Sequence, residues 1–265
     1  MGSEVAIEMK EQATKWSESL TAWAIPGEIL DKAPTSPWIH PVSSFTPKGD
    51  LYVDTPSRLC ALEALPDGGS VLDVGCGGGR AAFGLVPPAT HVVGVDHQPG
   101  MLEVFAAQAE ERGATCETVL GDWPDVAEHT PIADVVVCHH VLYNVSDLVP
   151  FVHSLSDHAR RRVVVELPMH HPLSGLSAMW KMFWDLDRPV SPTAYDALAV
   201  VRELGYDAKL EEFVQTTGVR PVTDEDVVFT RIRLCLEAER DAEVRAHLES
   251  HPVTERRLAT IWWDV

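Results

Sequence analysis

A chain of 265 residues, 45% of them hydrophobic, is long enough for one large or two small domains with a real core, which excludes disorder and miniproteins. Its 21 Lys and Arg against 40 Asp and Glu leave a formal net charge of −19, a surface that repels nucleic-acid phosphate and anionic membrane. The opening MGSEVAIEMK carries charges in place of an apolar signal, and no stretch approaches the roughly 20 apolar residues of a membrane helix, so a cytoplasmic protein without nucleic-acid or membrane partners is expected.

In chain order, residues 1–54 hold Trp16, Trp23 and Trp38 among acidic side chains, then prolines at 26, 34, 37, 41 and 47. This predicts a helix near 8–24 followed by an irregular segment, together a lid that either closes a pocket or forms a dimer contact. Thr55-Pro56 is a cap followed by proline at the first helical position, and Leu59, Leu62 and Leu65 keep helical spacing, predicting a helix over 56–65. Buried strands are expected at 70–75, 91–96, 116–121, 133–139 and 161–167, separated by helical intervals, and two more at 206–214 and 257–263. The fold class is therefore α/β: a doubly wound, mostly parallel seven-stranded sheet with helices on both faces. Insertions at about 169–204 and 216–256 should form a helical cap on one domain spanning 55–265. In the first of these, Trp180 and Trp184 share a helical face and, with Met179 and Phe183, could roof a ligand pocket or pack the cap, two readings that can both hold. The basic run Arg160-Arg161-Arg162 is expected as a surface turn ahead of the fifth strand. Arg231 and Arg233 either hold an anionic group or pair with acids on solvated helices.

Five cysteines at 60, 76, 116, 138 and 235 form no C-x-x-C pair, so neither a zinc site nor a redox dithiol is expected. The run from Val71 to Arg80, VLDVGCGGGR, takes a strand into a glycine-dense turn that should open a helix. Glycines there let backbone N–H groups approach a ligand at the carboxyl end of a strand, where α/β folds bind ligands. The dinucleotide fingerprint fails, because Arg80 stands where its third glycine belongs. Asp73, just before the loop, would repel a pyrophosphate and suits a cationic ligand such as a sulfonium.

Over roughly residues 55–168 the chain resembles class I S-adenosylmethionine-dependent methyltransferases, VLDVGCGGGR looking like their first motif. The resemblance implies S-adenosylmethionine as cofactor, bound by Asp73 and by the loop through Gly75, Cys76 and Gly77. Asp96, 23 positions after Asp73, would take the ribose hydroxyls. His97 and Met101 would flank the adenine, Asp122 would meet its amino group and Trp123 would lie beside the ring. ADVVVCHHVLYNVSD resembles the fourth-strand motif, with His139 contacting the methionine portion.

Methyl transfer to a hydroxyl or protonated amine needs a base, the role histidine suits best. Candidates are His139-His140, Tyr143, and His170-His171. Strand alternation allows only one of His139 and His140 to face the cleft easily. With His139 given to the cofactor, His140 and Tyr143 lead on the acceptor side, followed by His170 and His171. The four histidines could also meet a metal with Asp147 or Glu166, but no H-x-x-x-H or H-x-x-E spacing joins them, and no metal is expected. A small-molecule acceptor, apolar or aromatic, is expected for O- or N-methylation. A nicotinamide-dependent oxidoreductase and a noncatalytic S-adenosylmethionine-binding regulator are the alternatives, and monomer and homodimer stay open.

Overall fold

The structure, a computed structural model, describes residues 11–38, 51–216 and 218–265. The first part of the expected lid helix and the prolines at 41 and 47 lie outside the described residues.

Seven strands form one sheet: β1 (Ser70–Val74), β2 (His91–Asp96), β3 (Thr115–Leu120), β4 (Ala133–His139), β5 (Ala159–Pro168), β6 (Lys209–Thr216) and β7 (Glu255–Asp264). Their spatial order is β3-β2-β1-β4-β5-β7-β6. The first five are parallel, while β7 slots antiparallel between β5 and β6. The order reverses between β1 and β4, so the crevice beyond their carboxyl ends is the place where such sheets bind ligands.

The helices are α1 (Glu11–Thr21), α2 (Gly27–Leu30), α3 (Pro56–Ala64), α4 (Arg80–Phe83), α5 (Pro99–Arg112), α6 (Leu148–Asp157), α7 (Ser177–Trp184), α8 (Ala194–Glu203), α9 (Asp224–Arg233) and α10 (Asp241–Ser250). Strand side chains alternate between the two faces. Val71, Val92, Val135, Val137 and Val164 pack under α3, α4 and α5 through Ala61, Phe83 and Phe105. Leu72, Val93, Val136, Val163 and Val165 pack under α6 and α8 through Phe151, Leu155, Ala197 and Val201, joined by Trp16 of α1. Valine-rich strands buried on both sides are what a parallel core requires.

A third cluster unites Ile25, Ile29, Met179, Trp180, Val227, Leu234, Leu236 and Val244. It draws α2, α7, α9 and α10 into a helical unit beside the sheet. The stretch 169–204 is therefore split. Its α7 packs in this cluster, but α8 buries Ala197, Val200 and Val201 on the sheet. Trp180 and Met179 are fully packed there, and the Trp184 Nε1–H donates to the Leu234 carbonyl at 2.7 Å, so this face packs the cap.

Two expectations about arginines are corrected. Arg160–Arg162 lie within β5, not in a turn ahead of it, because the Arg162 fork finds Asp264 and Glu63, both at 2.7 Å, and the Cys60 carbonyl at 3.0 Å. Arg231 does pair with Asp241 at 2.7 Å, but Arg233 is buried instead of solvated: it donates to the Pro37 carbonyl and lies over the Phe229 ring at 4.6 Å.

Candidate active site

The glycine loop leaves β1 in a conformation that only glycine adopts cheaply, with φ of +71° at Gly75, +50° at Gly77 and +85° at Gly79. Space enforces the same choice. A Cβ on Gly75 would stand 2.4 Å from Val141 Cγ2, and one on Gly79 would stand 2.1 Å from the Phe83 ring. The loop is thus pressed against the residue that follows His140, and Gly75 and Cys76 both donate to the Val95 carbonyl, at 2.9 and 3.0 Å. This joins the ends of β1, β2 and β4 in one crevice.

Asp96 ends β2 and is 9% exposed. Its Oδ2 accepts from Gly77 N and its Oδ1 from Gln98 N, both at 2.9 Å. The carboxylate therefore spans the loop and the turn into α5. Asp122 follows β3 and faces solvent, with His97 Nδ1 3.9 Å from its Oδ1.

Asp73 behaves differently from its expected part. It is 1% exposed, lies beneath the loop and accepts from Ala82 N at 3.1 Å, clamping the start of α4. Burial, with the nearby Asp96 charge, pushes its pKa up to about 8. Such burial favours the neutral carboxyl over the negative charge the sequence suggested for a cationic ligand. Cys76, also buried, is held as a neutral thiol because burial pushes its pKa up. Met101 is buried on α5, and Trp123 points its indole N–H at the Phe151 carbonyl, 3.4 Å away, with His158 against its edge. Both fill protein contacts at the rim of the crevice.

The ends of β4 and β5 hold the charged chemistry. His139 and Glu166 are register partners, and the His139 Nδ1 lies 4.0 Å from Glu166 Oε1. His140 reaches the same oxygen with Nε2 at 3.2 Å, while its backbone N–H donates to the Glu166 carbonyl at 2.7 Å. Strand alternation would have put the two imidazoles on opposite faces. It is broken because His140 sits at φ +62°, which turns its side chain back to Glu166. Both histidines therefore face one carboxylate, His140 from the more exposed side. His139 Nε2 is buried and finds no hydrogen-bond partner among the described residues, and burial lowers its pKa.

Tyr143 is buried, its hydroxyl donating to the Pro168 carbonyl at 2.9 Å, and burial pushes its pKa up. Its ring stacks on Trp16, at 5.5 Å, and meets the edge of His171, at 5.4 Å. His171 caps the turn Pro172–Leu176 by accepting from Leu173 N through Nδ1. The structure brings these two together, but as packing beneath the N-terminal segment. His170 is exposed and bridged to Thr193, beside Glu212 of β6, apart from the other three histidines. Among the described residues no three His, Cys, Asp or Glu side chains gather to hold a metal, and no helix is long and apolar enough to cross a membrane.

Glu166 joins the candidate site, although sequence reasoning left it as a mere metal candidate. Its signal was available: one carboxylate inside the apolar strand Val163–Leu167 needs a partner. Ser57, which hydrogen-bonds to it from α3, had none.

Residues 71–162 match the family model described as a methyltransferase domain. Residues 71–162 thus carry a methyltransferase domain. Among curated proteins, this domain is similar to the ubiquinone biosynthesis O-methyltransferase of Actinobacillus pleuropneumoniae, 31% identical over 125 residues that cover 44% of this chain and 52% of the relative. The protein of the same name from Idiomarina loihiensis is 34% identical over 127 residues, covering 46% and 51%. The chain thus spans about half the length of the curated relatives it matches. Among solved structures, the YcgJ protein of Bacillus subtilis aligns with a TM-score of 0.52 at 16% identity, over 78% of this chain and 97% of that one. Such a likeness speaks for the fold of the methyltransferase domain, a seven-stranded, mostly parallel sheet, as observed.

Proposed function

We propose that this protein transfers a methyl group from S-adenosylmethionine to an oxygen or nitrogen of a small-molecule acceptor. The observation that carries the reading is the junction of Asp96 with the glycine loop, a carboxylate at the end of β2 bonded to Gly77 N at the switch point of the sheet. The residues present fit the cofactor. Gly75, Cys76 and Gly77 offer a compact backbone turn, which Val141 packs against from the side where a Cβ on Gly75 would stand. Asp96 offers two acceptor oxygens suited to a pair of ribose hydroxyls, exposed Asp122 suits an adenine amino group, and His97 stands beside it. His139, with its buried unpartnered Nε2 at the end of β4, suits the polar methionine portion. Met101 and Trp123 are assigned to the apolar wall behind the adenine.

Bound S-adenosylmethionine supplies a methyl group already activated on sulfur. The chain's own part is to orient the acceptor, shed water and take a proton from it. Tyr143 has donated its hydroxyl to a backbone carbonyl and His171 is wedged under Trp23, so both shape the pocket wall. His140, half exposed and next to the loop through Val141, remains the group able to reach an acceptor; His170, across at β6, is assigned to the rim. The names of the curated relatives support O-methylation of a small molecule, and the charge of −19 supports a cytoplasmic enzyme without nucleic-acid or membrane partners.

Calorimetric titration with S-adenosylmethionine and S-adenosylhomocysteine, with Asp96→Ala alongside, tests this. Micromolar binding that the variant loses is expected. Absence of binding to both ligands by the native protein overturns the reading and reopens nicotinamide cofactors and partner proteins.

A further inference from the structure

Glu166 is the single charged residue of Val163–Leu167 and is 8% exposed. Burial alone would raise its pKa, yet it is held at about 2 by His139, His140 and Ser57. Together the three groups keep the carboxylate ionised. Ser57 Oγ lies 2.6 Å from Thr260 Oγ1, so a chain of donors runs Thr260 to Ser57 to Glu166, with His140 arriving from the other side.

An ionised carboxylate only accepts hydrogen bonds. The His140 Nε2 facing it must therefore carry the proton, and in the neutral imidazole the lone pair falls on Nδ1. Two further facts tie this ring to the crevice. Its backbone is held in the left-handed region, unusual for a non-glycine residue, by the same glutamate's carbonyl. Its neighbour Val141 touches the glycine loop.

We infer that Glu166 is a positioning residue for His140: it fixes the imidazole as the Nε2–H tautomer, turns Nδ1 to the methyl acceptor as the base, and stabilises the imidazolium that results. The inference deepens the methyltransferase reading and rests on it. In the step, a lone pair of the acceptor oxygen or nitrogen forms the new bond to the methyl carbon. The carbon–sulfur bond breaks with its electron pair staying on sulfur. The acceptor's proton passes to His140 Nδ1, and the positive charge is balanced by Glu166 until the proton leaves to solvent. The groups facing this pair are His139 on β4, Ser57 on α3 and Thr260 on β7, and Arg80 at the start of α4 acts on His139.

The test is nitrogen NMR of the full chain labelled in its histidines, recorded at about pH 8, where an ordinary imidazole is neutral. His140→Asn assigns the resonance. The expected result is a protonated Nε2 and a bare Nδ1 at His140, with that pattern lost or inverted in Glu166→Gln, whose amide can donate as well as accept. A protonated Nδ1 in the native protein, or a tautomer unmoved by Glu166→Gln, overturns the inference. Should Glu166→Gln not fold, the native spectrum decides alone. Titration with S-adenosylhomocysteine on the same samples separates the two failures: its absence from the native protein overturns the methyltransferase reading and the base role with it, whereas binding beside the wrong tautomer overturns only the pairing.

Discussion

Trp23 and His171 lie face to face, with ring centroids 4.0 Å apart and planes 14° from parallel. One comes from the N-terminal segment and the other from the loop after β5. Both ends of the stack are anchored. Trp23 donates its Nε1–H to the Ser191 carbonyl at 2.6 Å, and on the far side Tyr143 rests on Trp16, which donates to the Val145 carbonyl at 2.8 Å. Arg188 covers Trp23 and Trp180 and donates to the Trp23 carbonyl. The N-terminal helix is thereby bolted across the carboxyl ends of β4 and β5, where the acceptor would sit.

The stack carries a pH dependence. Burial, helped by the Arg188 charge, lowers the His171 pKa from 6.5 to about 4. The unfolded chain takes up a proton below about 6.5 that the folded chain refuses until about 4, so stability falls as pH drops through that window. Because the ring is only half-buried, the loss should be roughly 1–2 kcal/mol after solvent screening. Urea unfolding at about pH 7 and about pH 5 should show this extra loss in the native protein and not in His171→Gln. An equal loss in both would remove His171 from the account.

The glycine loop should tolerate side chains far less than an ordinary left-handed glycine does. Gly113, the C-cap of α5, has φ +68° with open space around it, so Gly113→Ala should cost about 1 kcal/mol. Gly79→Ala adds a collision with Phe83 and Phe105 and should cost about 3 kcal/mol or more. Thermal unfolding of the two variants compares them; equal costs would mean that the loop is not tightly packed.

The two cofactor carboxylates should differ in weight. Asp96 is nearly enclosed and organises two backbone N–H groups, so Asp96→Asn should weaken S-adenosylhomocysteine binding about 100-fold. Asp122 faces solvent, and Asp122→Asn should cost about tenfold. Calorimetry that reversed this order would place the ribose elsewhere.

The third apolar cluster should loosen separately from the sheet. Trp180→Ala leaves a void at the centre of α2, α7, α9 and α10, worth about 3–5 kcal/mol. Amide exchange should quicken in those helices while β1, β4 and β5 stay protected. Uniform quickening would mean that cluster and sheet unfold as one.

Strands were legible almost to the residue, as at 91–96 and 133–139, because runs of valine bounded by polar turns leave little else for the backbone to do. The glycine loop and Asp96 were equally plain, since their geometry is dictated within a few bonds of one another. Arg162 was misread because its acids, Glu63 and Asp264, are distant in the chain, and a run of arginines looks like solvated surface until such partners arrive. Asp73 was only half legible for the reverse reason: its position beside the loop was evident, but its burial depends on α4 closing over it.

Local pattern, then, was enough for the α/β architecture, the seven strands and the cofactor loop, since periodicity and backbone freedom act over a few residues. Which side chains share the acceptor site was decided only on folding. Glu166 of β5 gathers His140 from the end of β4 and Ser57 from α3, and Trp16 and Trp23 reach Tyr143 and His171 across about half the chain. Charge and hydrogen-bond partnership depend on distance in space and on burial, and neither is written in the spacing of residues along the chain.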